Sequence, residues 1–262
     1  MADTAAPLAG CRVWVTRPRG QSARLCELVR GSGGEVLEFP LLEILPARDE
    51  AAARALLGRV AEHDFCIFIS RSAVRHALRL CPGFGARLGS CRVLAVGAGT
   101  AAELAAAGID AQCGPGPAFS AADLLTIPTL LEEAVRGRAV LIARGEGGGA
   151  MLGATLAARG ARVCHVDVYR RAVPAPDPAA GLLWRRSAPD VIVVTSAEAV
   201  RALLALTPPA HHTALLGTAL IVISRRVRDA ARAAGFAGAV VVASAASDAG
   251  LHESLLAWRA RA

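Results

Sequence analysis

The sequence contains no lysine, and all 29 of its basic side chains are arginine. Schiff-base catalysis and a phosphate-loop lysine are thereby excluded. Aromatic residues supply only 4% of the chain against 54% hydrophobic, so any core must be built from Ala, Val, Leu and Ile. No apolar run approaches the roughly eighteen uncharged residues of a membrane helix. The start, MADTAAPLAGCRVW, has no basic stretch followed by an apolar segment and a small-residue cleavage site. A cytoplasmic protein without membrane association is the expectation. Close cysteine pairs are also missing. The seven cysteines, at 11, 26, 66, 81, 91, 113 and 164, form no CxxC and are odd in number; they read as small buried hydrophobes. His211 and His212 are the only adjacent histidines, placed beside Pro208 and Pro209 in an expected loop with no HExxH, so no metal site is expected. The net charge of +7 suggests an anionic partner. The arginines are dispersed with little aromatic interleaving, which argues against nucleic acid. A merely solvated arginine surface accounts for most of them equally well.

Strand-length apolar runs alternate with amphipathic stretches of helix length, the pattern of α/β units around parallel sheets. The predicted strands include Arg12–Thr16, Phe65–Ser70, Arg92–Val96, Ala139–Ala143, Val191–Thr195 and Ala219–Ser224. They recur. CRVWVTRP at 11–18 answers RAVLIARG at 138–145, DFCIFISRSAV at 64–74 answers DVIVVTSAEAV at 190–200, and VLAVGAGTAAELAAAGI at 93–109 answers LIVISRRVRDAARAAGF at 220–236. The offsets of 127, 126 and 127 residues are too constant for chance, and they predict an internal duplication into two similar parallel-sheet α/β domains. EVLEFPLLEILP at 35–46 and VCHVDVYRRAVPAPDP at 163–178 are extended, proline-ended and equivalently placed, as two connections between discontinuous domains would be.

Several strand-to-helix turns carry groups that chemistry can use. Gly97-Ala98-Gly99-Thr100-Ala101-Ala102 satisfies a dinucleotide fingerprint superficially, but no acidic residue ends a second strand about twenty positions on. A turn offering amides and the Thr100 hydroxyl to another anion fits as well. Arg144 and Gly145 open a second glycine-rich turn, and Arg144 is the repeat partner of Arg17 in Thr16-Arg17-Pro18. Either guanidinium suits a carboxylate, or caps its own turn. Ser70 and Ser72 in one half, and Thr195 and Ser196 in the other, each read singly as helix caps. Taken together, hydroxyls and amides at strand carboxyl ends of two facing domains would line a polar cleft between them.

VTRPRGQSARLCELVRGSGGEVLEFPLLEILP, with its TRP and Gln21, resembles the opening of uroporphyrinogen-III synthases. The resemblance continues in order through DFCIFISRSAV, LAVGAGTAAELAAAGI, FSAADLL at 119–125, VLIARGEGGGAMLGATLAARGARVCHVDVYRR and PDVIVVTSAEAVRALL, nearly the whole chain. It implies two α/β domains joined by a two-stranded β connection. Carried over, residues 1–38 with 172–262 form one domain and 43–165 the other, with 39–42 and 166–171 as connections. The implied substrate is hydroxymethylbilane, a linear octacarboxylate tetrapyrrole. It would lose water and close through a spirocyclic intermediate that inverts the terminal pyrrole, with no cofactor. Tyr169, the only tyrosine, matches the family's tyrosine at the second connection and becomes the acid candidate; a ring packed on the connection is the competing reading. Thr100 matches a cleft-facing threonine. Thr16, Arg17, Gln21, Ser70, Arg144, Gly145, Thr195, Ser196 and Ser224 complete the substrate-binding set. Two departures stand out: Gly149 replaces a usual arginine, and Ser224-Arg225-Arg226-Val227 replaces a glycine-proline-threonine-threonine turn, an exchange that offers Arg225 or Arg226 to a carboxylate. A monomer is expected, with transient contact to the enzyme that supplies hydroxymethylbilane. The rival readings are a noncatalytic two-domain binder and a nicotinamide-dependent oxidoreductase.

Overall fold

The computed structural model describes residues 6–114, 121–175 and 180–262, with Ala180 by its backbone alone. Phe119 and Ser120 of the FSAADLL motif, residues 176–178 of the second proline-ended link, and the first five residues lie outside the described residues. Eleven strands are present among those described: β1 Arg12–Val15, β2 Glu35–Glu38, β3 Glu43–Pro46, β4 Phe65–Phe68, β5 Arg92–Ala95, β6 Gln112–Cys113, β7 Ala139–Gly145, β8 Arg162–Ala172, β9 Val191–Val194, β10 Ala219–Val222 and β11 Val240–Val242. The chain divides into two compact units, Met1–Glu43 with Ala172–Ala262, and Ile44–Arg171.

One sheet has the order β11-β10-β9-β1-β2 and the other β3-β8-β7-β4-β5-β6. Read from the opposite end, the first order is β2-β1-β9-β10-β11, which the second repeats as β8-β7-β4-β5-β6. The agreement extends to single residues. Val13 stands opposite Val191 and Trp14 opposite Ile192, while the residues at the repeat offsets, Val140 and Phe65, and Leu141 and Cys66, are paired likewise. Arg12 faces Glu35 as Ala139 faces Arg162. Strand β3 is the addition, an edge strand beside β8.

These strands are continuous apolar runs because each sheet is covered on both faces, the usual state of parallel sheets. In the first unit Trp14, Ile192, Val194, Leu220 and Val222 face one core with Leu203 and Phe236; Val13, Val15, Val191, Val193 and Ile221 face a second with Leu25 and Leu255. In the other unit Cys66, Phe68, Val93 and Leu141 share a core with Val74 and Leu104, and Phe65, Ile67, Leu94 and Ile142 share one with Leu152 and Leu156. Of the residues expected in the connections, Leu41 and Leu42 are buried in the first unit's core, and 166–171 lie in β8.

The cysteines are free, five of them buried and Cys113 and Cys164 partly so. Burial pushes the Cys66 thiol well up and Cys91 up to about 11, so these are unreactive groups. No cluster of three or more metal-ligating side chains occurs among the described residues. No helix among them is long and apolar enough to cross a membrane. The expected loop at His211 and His212 is instead a 3-10 turn, Pro209–His211, leading into a helix, His212–Gly217. The His212 ring lies 2.8 Å from the Thr207 carbonyl, and His211 stacks on Trp184.

One duplicated polar contact sets the register. The Asp190 carboxylate accepts the Arg12 backbone N–H at 2.7 Å, and Asp64 accepts that of Ala139 at 2.8 Å. Each extends a parallel ladder past its last pair. The Ala139 bond, then Arg138, hold the Asp64 carboxyl below its ordinary 3.8. A depressed carboxyl stabilises the fold above its unfolded pKa, and that share is lost as pH falls through the lower folded value. Because Asp64 is one-third exposed, Asp64→Ala is expected to cost about 1 kcal/mol. Urea melts should show that loss near neutrality and a smaller difference from wild type below pH 3.8; equal stabilities at neutral pH would remove Asp64 from the register argument.

Candidate active site

The carboxyl ends of parallel strands carry unpaired groups, and each helix that follows needs a cap. In the second unit, Ser70 caps the helix Arg71–Leu80, its Oγ accepting the Ala73 N–H at 3.1 Å. In the first unit, Ser196 caps Ala197–Leu206, accepting Ala199 N–H at 3.0 Å. The two serines are repeat partners, and the capping role is common to both. Ser70 alone has a second partner: the Tyr169 hydroxyl lies 3.2 Å from its Oγ.

A bulge makes that contact. Strand β8 runs in register with β7 as far as Arg144 opposite Asp167, then skips Val168, so that Gly145 faces Tyr169. Alternation would send Tyr169 to the face opposite Val166 and Val168; with the extra residue all three share one core. Gly145 supplies the room. A Cβ there would stand 2.5 Å from Tyr169 Cζ and 3.0 Å from its hydroxyl oxygen. The Tyr169 carbonyl accepts the Glu146 N–H at 2.9 Å, which fixes the backbone on both sides of the ring. Tyr169 is 5% exposed, with the His76 ring 5.5 Å away between centroids. The structure therefore brings Ser70, Gly145 and Tyr169 together.

The paired arginines hold internal carboxylates. Arg144 Nε donates to Asp167 at 2.7 Å and Nη1 to the Gly148 carbonyl at 3.0 Å. Arg17 pairs with Asp248 at the start of the helix Asp248–Arg259, and its Nη1 lies 3.4 Å from the Gln21 carbonyl. Both guanidinium groups thus order their own turns. Gln21 closes the same turn, its N–H reaching the Pro18 carbonyl at 3.1 Å. Thr16 is buried and donates to the Val193 carbonyl at 2.7 Å, tying β1 to β9. Thr100 is buried in the first turn of Ala98–Ala106. Thr195 is half-buried at the end of β9. Ser224 occupies a cap position without making the side-chain bond. Arg225 and Arg226 after it are exposed.

Gly149, where an arginine was expected, has φ +71° and caps the helix Ala150–Ala158. A side chain in that left-handed conformation is strained, so an arginine there requires a differently built turn. Asp167 and Asp248 were not anticipated as partners of the arginines. Asp167 was within reach of sequence reasoning, since repeat register sets it opposite Arg144; Asp248 lies in a segment without a recognised repeat.

A family model described as uroporphyrinogen-III synthase matches residues 23–253. The chain is 32% identical over 241 residues to a uroporphyrinogen-III synthase of Salmonella typhimurium, covering 90% of this chain and 97% of the relative. It is 30% identical over 242 residues to that of Escherichia coli, with the same coverage of 90% and 97%. Among solved structures, a uroporphyrinogen III synthase of Thermus thermophilus superposes with TM-score 0.60 at 23% identity, covering 95% of this chain and 98% of the other. The Helicobacter pylori enzyme gives 0.62 at 15%, covering 95% and 99%. These two likenesses establish the fold.

The repeated caps offer an internal control. Ser70→Ala and Ser196→Ala should each lose about 1 kcal/mol of capping. Ser70→Ala should lose about another 1 kcal/mol, because the buried phenol is left without its side-chain partner. Denaturant melts read the difference, and second-derivative absorbance of the single tyrosine should change only in Ser70→Ala. Equal losses with an unchanged tyrosine spectrum would dissolve the Ser70–Tyr169 bond.

Proposed function

The chain belongs to the uroporphyrinogen-III synthase family, and from that premise we propose that Tyr169 is the acid that starts its reaction. As a member it is a cyclising hydro-lyase of tetrapyrrole and haem biosynthesis. The substrate in this reading is hydroxymethylbilane, taken up by a cytoplasmic monomer through transient contact with the enzyme that makes it.

Electrons of the terminal pyrrole nitrogen expel the hydroxyl group, which leaves as water once the phenol has protonated it. The pyrrole that is attacked forms the spirocycle, is released and rejoins in inverted orientation. The proton displaced on final ring closure returns to the phenolate. A single observation carries the assignment: the bulge and Gly145 aim the only tyrosine at the cap of a helix. One Ser70 lone pair accepts the Ala73 N–H, and the Ser70 O–H donates to the phenolate as charge develops there. The positive end of the helix dipole acts in the same direction.

Substrate carboxylates fall to cations without internal partners. Among the described residues Arg225 and Arg226 answer that description, whereas Arg17 and Arg144 hold Asp248 and Asp167. Amides of the turns at Gly97 and Gly147, with Thr100, Thr195 and Ser224, complete the contacts in this reading.

Tyr169→Phe keeps the ring and deletes the donor. Turnover of enzymatically generated hydroxymethylbilane should fall by about 10²-fold, with more of the uninverted ring among the products after oxidation and separation. A folded variant with the wild-type rate and isomer ratio would leave water or Thr100 as the proton source. The double variant Arg225→Ala/Arg226→Ala should raise KM several-fold with kcat little changed, since remote charge contacts bind ground and transition states alike. An unchanged KM would return both arginines to the solvated surface.

A further inference from the structure

We infer that His76 is a positioning residue for Tyr169, supporting the phenol ring only while the imidazole is uncharged. The inference rests on the reading of Tyr169 as the acid. His76 lies on the helix capped by Ser70, so one element carries both the partner of the phenol oxygen and the neighbour of its ring. The ring centroids are 5.5 Å apart with planes tilted by 34°. Gly145 leaves no slack near Cζ and the hydroxyl, and the Tyr169 carbonyl is tied to Glu146. The ring therefore keeps its orientation as long as the imidazole stays in place.

The imidazole is placed where charge is costly. Its Nδ1 is shielded from solvent and has no hydrogen-bond partner among the described residues. A neutral ring with its proton on Nε2 leaves one weak acceptor unpaired; an imidazolium would leave a charged N–H donor unpaired. The groups around it are Arg79 on its own helix, Glu50 on the helix Glu50–Gly58, and Tyr169 on β8. Glu50 is already paired with Arg79. Burial first, then Arg79, push His76 below its ordinary 6.5, against a smaller opposing effect of Glu50. Protonation in acid must then draw the ring outward to water, and the support of the phenol goes with it.

The test is the rate and isomer ratio from hydroxymethylbilane between about pH 8 and pH 5, corrected for uncatalysed closure. Wild type, His76→Phe and Tyr169→Phe are compared, each variant normalised to its own plateau. Wild type should lose about tenfold per pH unit below a midpoint under 6.5, releasing more uninverted ring while circular dichroism stays native. The His76 Cε1–H resonance, identified by its absence from His76→Phe, should titrate at the same midpoint. His76→Phe, which has a ring but no titration, should hold its plateau at least about one unit further into acid. If the phenylalanine variant fails to fold, His76→Gln serves the same comparison. A variant profile superimposing on wild type, or a His76 midpoint at or above 6.5, overturns the inference while a disabled Tyr169→Phe leaves the acid assignment standing. A fully active Tyr169→Phe overturns both.

Discussion

Parallel strands buried on both faces tolerate no slip in register, because a shift of one residue exchanges every side chain between two filled cores. Both sheets are built on this constraint, and both meet it identically. The pairings Val13–Val191 and Trp14–Ile192 recur at the repeat offsets as Val140–Phe65 and Leu141–Cys66. The carboxylates of Asp190 and Asp64 fix the starting amide of the neighbouring strand in each. Once the register is set, the positions of the strand ends follow, and with them the turns that carry polar groups.

The duplicated halves diverge at those turns. Ser70 and Ser196 keep the same capping geometry, yet only Ser70 meets a phenol. The difference arises in the strand that pairs with β1 or β7 on the side away from these caps. Strand β2 pairs with β1 in unbroken register from Glu35 to Glu38, whereas β8 gains one residue at Val168 and turns Tyr169 inward. Each half has an arginine at the repeat position, Arg17 after β1 and Arg144 within β7, and each is matched by an acid from a different element, Asp248 or Asp167. Conserved turn architecture with changed partners is how a symmetrical scaffold comes to carry an asymmetrical site.

Strand positions, the duplication and the caps at Ser70 and Ser196 were legible because they rest on local periodicity and on residue types with one strong preference; of the other expected caps, Ser72 lies inside the helix Arg71–Leu80 and Thr195 precedes the cap. The predicted strands ran on to Thr16, Ser70, Val96, Thr195 and Ser224, whereas the observed ones end one or two residues earlier. At Ser70 the reason is physical: the hydroxyl serves the next helix, so its residue leaves the ladder. The side to which Tyr169 points was not legible. Period-two reading from Val166 and Val168 directs it away from Ser70, and nothing in RVCHVDVYRRA marks the bulge. The ion pair of Arg17 was hidden for a similar reason, since its acid lies 231 residues away and a guanidinium beside a turn looks the same whether it awaits a ligand or holds a neighbour; only the repeat register pointed to Asp167 for Arg144. His212 was misplaced because the two prolines before it read as a loop, while a proline at the start of a helical turn is well tolerated.

Composition and geometry converge on the proton. With no lysine in the chain, its cations at neutral pH are arginines, whose guanidinium groups do not release a proton in that range. The cysteines with the most strongly raised pKa values, Cys66 and Cys91, are buried beside one another in the core, and Cys66 is wholly enclosed. His76, the imidazole nearest the tyrosine, is driven toward its neutral form. What remains at the end of β8 is a phenol with one hydroxyl partner. Ser70 stands 3.2 Å from that phenol, with one lone pair taken by a helix amide. The serine that caps this helix is also the hydrogen-bonding neighbour of the phenol. Ser196 in the other half makes the same capping bond and, with the chain's single tyrosine at 169, has no such neighbour.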